Sequence, residues 1–287
     1  MDIRKLSDDD RDAVMAFLEG HAASSMFLLS NIARCGLNQP DRPYGGDYWG
    51  ALDDGLLRGV IAQMWNGNVM MQAPEKAALD ALASVLRRTV ARPVAGFLGP
   101  DDQARVVVTR FGLQDADYAS NSAERLFSLD PADLVMPPSS EKFVMTAWQH
   151  ADPELLTRWL VDYSIEALGA VPGAALEAGI RLAVSQGAAL ERYVLLLDGM
   201  PVALAGFNAG YGGMKQLGPV WTPPPLRGRG HARQLVALMV GAAFEQGAER
   251  MILFTNSAAG ERAYRAVGFR QIGSYRLALL ATPVARA

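Results

Sequence analysis

One segment, residues 216–232, restricts the fold more than any other. It reads as a strand ending Val220-Trp221-Thr222, three prolines, then Leu226-Arg227-Gly228-Arg229-Gly230-His231-Ala232, with an apolar helix following. Proline removes a backbone donor and fixes φ, so neither strand nor helix runs on through positions 223–225. Glycines at such a turn let the backbone approach a ligand closely. A strand that breaks sharply into a helix predicts a mixed α/β fold.

The flanking pattern extends this reading. Asp152-Pro153 opens a helix, with Asp as cap and Pro in the first turn. Leu155, Leu156, Trp159, Leu160 and Tyr163 recur along it at helical spacing, and Gly169 ends it. A second helix is predicted over 174–185, stopped by Gly187. Two apolar runs, 193–197 and 202–207, flank Asp198-Gly199 and read as a hairpin. Strands follow at 143–145, 214–221, 251–255 and 273–280. Helices follow at 233–244, with Leu235, Val236, Met239, Val240 and Ala243 on one face, and at 260–267 before Gly268.

The first half repeats this order more faintly. Residues 48–52 and 57–64 flank Asp53-Asp54-Gly55 as a second hairpin, and strands at 69–72 and 94–98 each precede a helix. Phe111-Gly112-Leu113 mirrors Val267-Gly268-Phe269, 268 − 112 = 156 residues further on. An internal duplication is the expectation. Pro131, Pro137, Pro138, Ser139 and Ser140 mark the boundary. The predicted division is 1–130, a linker at 131–141, and 142–287. Met1 to Lys5 running into Ser7-Asp8-Asp9-Asp10 reads as a polar helix entry rather than a signal peptide.

Composition limits the partners. Twenty-seven Lys and Arg stand against thirty Asp and Glu, a formal charge of −3, so nucleic acid and anionic membranes are not expected. No apolar run approaches the ~20 residues of a membrane span. The single cysteine, Cys35, allows no intrachain disulfide, and His21, His150 and His231 lack metal-ligand spacing. A cytoplasmic protein without metal is expected.

Against that acidic background, residues 199–244 hold no Asp or Glu but carry Lys215, Arg227, Arg229 and Arg233. Free amides at the start of the following helix and these cations together suit a polyphosphate. A nucleoside-triphosphate loop would need Gly-Lys-Ser/Thr, which is absent. A dinucleotide fingerprint would need a third glycine where Arg233 stands.

Arg227-Gly228-Arg229-Gly230-His231-Ala232 resembles the Arg/Gln-x-x-Gly-x-Gly/Ala loop of the GNAT superfamily of N-acetyltransferases. Phe254-Thr255-Asn256 and the Tyr264 to Gly268-Phe269 ending resemble the same family in the same order. The resemblance is good over 200–280 and weaker from 142 onward. It implies tandem GNAT-like domains, each a twisted, mostly antiparallel sheet with a central parallel strand pair flanked by helices. The second domain would be catalytic.

The resemblance also implies a site. Acetyl-CoA would lie where strands 214–221 and 251–255 splay apart. Val220, Trp221 and Thr222 would line the pantetheine arm. Amides of Gly228, Arg229, Gly230, His231 and Ala232, beside Arg227, would hold the pyrophosphate. Asn256 would contact the acyl end, though Asn there also suits a helix cap. Tyr264 would protonate the departing thiolate.

A strand carboxylate common in the family is replaced here by Lys215, Gln216 and Leu217. Glu166, near the end of the first helix of that half, is the substitute candidate, as base or as contact for a cationic amine. The acceptor would be a primary amine of a small molecule or peptide.

In the first half, Gln72-Ala73-Pro74-Glu75-Lys76 lacks the glycine loop and puts an acid at the helix start. A degenerate copy is therefore expected there, forming a cleft wall or a homodimer surface. Its segment 21–27 is a further acceptor-facing candidate. A different acyl donor and a non-catalytic coenzyme A sensor stay open as alternatives.

Overall fold

The computed structural model describes residues 1–138, 142–185 and 191–285. The proposed linker residues Ser139, Ser140 and Glu141 and the proposed helix stop Gly187 lie outside them. The chain divides into two compact units, residues 1–126 with 273–287, and residues 127–272. The expected boundary at 131–141 took no account of the final strand, most of which belongs to the first unit.

The first segment supplies β1 (Asp2–Lys5), α1 (Arg11–Glu19), α2 (Ala22–Cys35), β2 (Gly46–Asp53), β3 (Leu56–Met64) and β4 (Asn68–Gln72). After these come α3 (Lys76–Thr89), β5 (Val94–Pro100), α4 (Asp101–Phe111) and β6 (Tyr118–Leu129). The same order then recurs as β7 (Phe143–Ala147), α5 (Pro153–Leu168), α6 (Ala174–Ser185), β8 (Arg192–Leu197), β9 (Met200–Tyr211) and β10 (Met214–Trp221). It closes with α7 (His231–Glu245), β11 (Arg250–Thr255), α8 (Ala258–Val267) and β12 (Arg270–Val284). Ten elements repeat in one order, so the duplication legible in the sequence is a duplication of fold.

In the first unit β1-β2-β3-β4-β5-β12 are successive neighbours. All these pairs are antiparallel except β4–β5, which is parallel from Asn68↔Gly96 to Met70↔Leu98. In the second, β11-β10-β9-β8-β7 are neighbours, and β10–β11 is the parallel pair, from Met214↔Arg250 to Gln216↔Ile252. Each unit is thus a mostly antiparallel sheet with one central parallel pair. Both hairpins turn through Asp-Gly with positive φ at both residues, Asp54 and Gly55 in one, Asp198 and Gly199 in the other. That is the turn whose twist matches paired strands.

Local signals account for the helices near the site. The Asp152 side chain accepts the Glu154 amide at 3.0 Å, Pro153 starts α5, and Gly169 ends it in the left-handed conformation. On α7, Leu235, Val236, Met239, Val240 and Ala243 are buried against Phe127, Leu195, Phe207, Leu217 and Met251. The other side of this sheet meets α5 through Trp148, Leu156, Trp159, Leu160 and Trp221. In the first unit α3 and α4 bury Leu79, Leu82, Leu86 and Val107 against Ile61, Val69 and Phe97.

The amino terminus corrects one expectation. Asp2–Lys5 is a strand paired with β2, and the helix entry begins only at Ser7. Ser7 and Asp10 form a reciprocal capping box there. No helix among the described residues is long and apolar enough to cross a membrane.

Candidate functional site

The candidate site lies at the parallel pair β10–β11 of the second unit. β10 and β11 pair only as far as Gln216↔Ile252, although β10 continues to Trp221 and β11 to Thr255. Over the same stretch the pairing of β10 with β9 shifts register between Gln216 and Val220. Such an irregularity bends a strand and takes it out of line with a neighbour. Because the two strands are parallel, their carboxyl ends lie on one edge, where α/β sheets bind ligands. Trp221 and Thr222 end one strand there, and Thr255 and Asn256 end the other.

Past Thr222 the chain makes one tight turn over Pro224–Leu226 and enters the glycine loop. Gly228 and Gly230 have φ of +78° and +83°, where a side chain would be strained. A Cβ on Gly228 would meet nothing within 4 Å, so this glycine is required by its backbone conformation and not by crowding. Gly230 is the N-cap of α7, and no side chain caps the helix. The first rung of the α7 ladder is Gln234 N–H to Gly230 O at 2.9 Å. The amides of Ala232 and Arg233 precede it and have no acceptor within the helix.

The loop cations differ in their surroundings. Arg227 Nε donates to Thr222 O at 2.9 Å, and its Nη1 and Nη2 reach the two carboxylate oxygens of Glu166 at 2.9 and 3.0 Å. Its guanidinium lies over the Trp221 ring, 4.7 Å from the centroid. Lys215 is paired with Glu191 at 2.5 Å. Arg229 and Arg233 have no acidic partner among the described residues. Arg233 Nη2 lies 3.4 Å from where a Gly230 Cβ would stand, which puts this cation over the loop. The cationic island read from the sequence is therefore half neutralised by Glu166 and Glu191, which lie outside the acid-free stretch.

The remaining expected residues fall at the same edge or just beneath it. His231 is 3% exposed and sits edge-on to Phe143, so its ring belongs to the interior and only its backbone borders the loop. Val220 packs toward the α7 core, whereas Trp221 faces α5 edge-on to Tyr163. Asn256 is exposed after β11. The cap of α8 is not Asn256 but Ser257, whose Oγ accepts the Gly260 amide at 3.1 Å. Tyr264, in the second turn of α8, is half-buried and edge-on to Phe269. A Cβ on Gly260 would come within 3.3 Å of Tyr264 Cε2 and 3.2 Å of Thr255 Oγ1, so the ring lies beside the end of β11.

Sequence reasoning gave Gln216 no role, noting it only as part of a missing carboxylate. It occupies the last paired position before the strands part and is 1% exposed, and its Oε1 has no hydrogen-bond partner. A buried acceptor left unpaired is costly and marks a place where a ligand or water is expected. A neutral polar residue on a mostly apolar strand, next to Lys215, was the available signal.

The first unit has the same parallel pair, whose pairing also stops short of the strand ends, at Met70↔Leu98, but polar groups there are taken up internally. The Ala73 amide, directly after β4, donates to Gln103 Oε1 at 2.7 Å, and Gln72 Oε1 accepts from Ser24 Oγ at 2.9 Å. α3 then begins after Glu75, which pairs with Arg58 at 3.7 Å. Among the described residues, no group of three or more His, Cys, Asp or Glu could hold a metal ion.

Comparison with known proteins agrees with this architecture. Residues 145–269 match the model of the Acetyltransferase (GNAT) family. No curated protein matches the sequence. Among solved structures, a GNAT-family acetyltransferase from Colwellia psychrerythraea aligns over 97% of this chain and 100% of its own, at 15% identity and TM-score 0.54. A GCN5-related N-acetyltransferase from Sphaerobacter thermophilus aligns over 96% and 94%, at 15% identity and TM-score 0.59. A Drosophila protein aligns over 97% and 98%, at 13% identity and TM-score 0.64. These likenesses are of fold and extend over both units. The segment 145–269 is thus similar to GNAT acetyltransferases, and both units share the fold of these structures.

Proposed function

We propose that this protein transfers an acetyl group from acetyl-CoA to a primary amine of a small molecule or peptide, at one site per chain, in the second unit. The observation that carries this reading is the glycine turn with uncapped amides at the mouth of the splayed pair β10–β11. Amides from Gly228 to Ala232 would hold the pyrophosphate, with Arg229 and Arg233 supplying charge. The strand end at Val220 to Thr222 would pair with the pantetheine arm. Asn256 would lie near the acyl end.

The amine nitrogen attacks the thioester carbon, forming C–N and breaking C–S. Tyr264 supplies a proton to the departing thiolate without itself carrying charge beforehand. The amine loses its proton to water, because Gln216 at the fork can accept a hydrogen bond but cannot take a proton.

Calorimetric titration with acetyl-CoA, NAD and ATP tests the donor. Binding of acetyl-CoA at one site per chain, lost in Gly230→Glu, followed by turnover in an amine screen, supports the reading. Preference for NAD or ATP overturns it. Binding without turnover over a broad amine screen would favour the coenzyme A sensor.

A further inference from the structure

We propose that Glu166 and Arg227 form a latch that positions the donor loop, and that the polyphosphate charge is met by Arg229 and Arg233 instead. This rests on the acetyl-CoA reading above. Arg227 opens the glycine loop, yet its guanidinium is committed in three directions. Nε holds the Thr222 carbonyl, the two terminal nitrogens take both oxygens of Glu166, and one face covers Trp221. Three of its five N–H donors are taken by these contacts, which leaves single donors on the two terminal nitrogens but no free bidentate edge for a phosphate.

The latch is anchored on α5. Tyr163 and Glu166 lie three residues apart and so share a helix face. Tyr163 meets Trp221 edge-on at 6.3 Å, and Arg227 covers the same ring. The strand end, the turn and α5 are thereby joined through one arginine. Within the turn itself the backbone bonds among the described residues are short-range, Leu226 N–H to Pro223 O at 2.9 Å and Arg227 N–H to Pro224 O at 3.3 Å. These bonds shape the turn but do not fix it to the body of the unit. Arg227 and the apolar contact of Leu226 do that.

Exposure sets the scale. The Glu166 and Arg227 side chains are 53% and 41% exposed, so a plain surface pair would contribute little. A bidentate pair stacked on an aromatic ring does more, because geometry and cation–π attraction add to the charge. A several-fold effect on donor affinity is expected, not a loss of binding. Glu166 is then a positioning residue and not the proton acceptor.

The test uses the full chain with acetyl-CoA. Glu166→Gln, Arg227→Met and their double variant are titrated, with Arg227→Lys added in case the methionine variant folds poorly. Arg229→Gln and Arg233→Gln are titrated beside them at low and high ionic strength. Each latch variant should raise the acetyl-CoA Kd by roughly 3–10-fold, and the double variant no more than the worse single. The salt dependence of the latch variants should stay that of the unaltered protein, whereas loss of Arg229 or Arg233 should flatten it.

An unchanged Kd in Glu166→Gln, with or without a fall in kcat, overturns the latch. So does a flattened salt dependence in Arg227→Met, which would make Arg227 a phosphate contact. Failure of the unaltered protein to bind acetyl-CoA is a separate result, and it removes the donor reading itself.

Discussion

The Ala73 amide donates to Gln103 Oε1 at 2.7 Å in a buried position. This bond takes up, inside the first unit, a backbone donor that follows directly on β4. The equivalent stretch after β10 is an open turn. The two units therefore share an order of elements but differ in what meets the backbone after the first strand of the parallel pair. Acetyl-CoA should titrate to one equivalent per chain. Gln103→Ala should leave a buried amide unpaired and cost about 1–3 kcal/mol by chemical denaturation, without creating a second binding site.

Gly230 is left-handed, and a Cβ there would stand 3.4 Å from Arg233 Nη2, so a side chain at this position affects both conformation and charge. Gly230→Ala should lower stability by roughly 1 kcal/mol and weaken acetyl-CoA binding. Gly230→Glu should abolish measurable binding in the same titration, since a carboxylate would stand among the amides proposed to hold phosphate.

Tyr264 lies beside Thr255 with its ring partly buried. Tyr264→Phe keeps the ring and removes the proposed acid. Steady-state kinetics should give a kcat lowered about 100-fold or more with little change in KM for the donor. A fall in KM affinity with kcat intact would instead make Tyr264 a packing residue.

Gln216 buries an acceptor with no partner. Gln216→Leu should leave thermal stability unchanged or raised, because the desolvated carbonyl is removed. If the amide meets substrate, the same variant should lower kcat/KM. The contrast between a gain in Tm and a loss in turnover is the readout.

Glu124 on β6 is 7% exposed, and burial pushes its carboxyl pKa up, with the Ser122 hydroxyl only partly offsetting this at 3.0 Å. A folded-state pKa above the unfolded value means the folded chain holds this proton more tightly. Its contribution is complete below the ordinary glutamate range and is lost as pH rises through the folded pKa. Glu124→Gln should raise Tm at neutral pH and make Tm less dependent on pH from the glutamate range upward. Thermal melts at several pH values check this.

Much of this was legible in the sequence because it depends on neighbours along the chain. Asp152-Pro153, the two Asp-Gly turns and Gly112, Gly169 and Gly268 each carry their own conformational preference, and each stands where that preference predicts. The glycine loop and the apolar face of α7 are local in the same way. The short strand β1 was not legible, since a four-residue polar strand forms only by pairing with β2.

The sequence by itself determined the repeated order of elements, the caps and turns, and the glycine conformations that open the loop. These are short-range matters of φ, hydrogen bonding and periodicity. Only the tertiary structure decided which charges survive. Arg227 and Glu166 are 61 residues apart in the chain, and Lys215 and Glu191 are 24. Coulomb attraction acts on distance in space, so no count along the chain could tell the neutralised cations from Arg229 and Arg233. Folding likewise placed most of β12 with the first unit, because strand pairing rewards whichever open edge lies within reach.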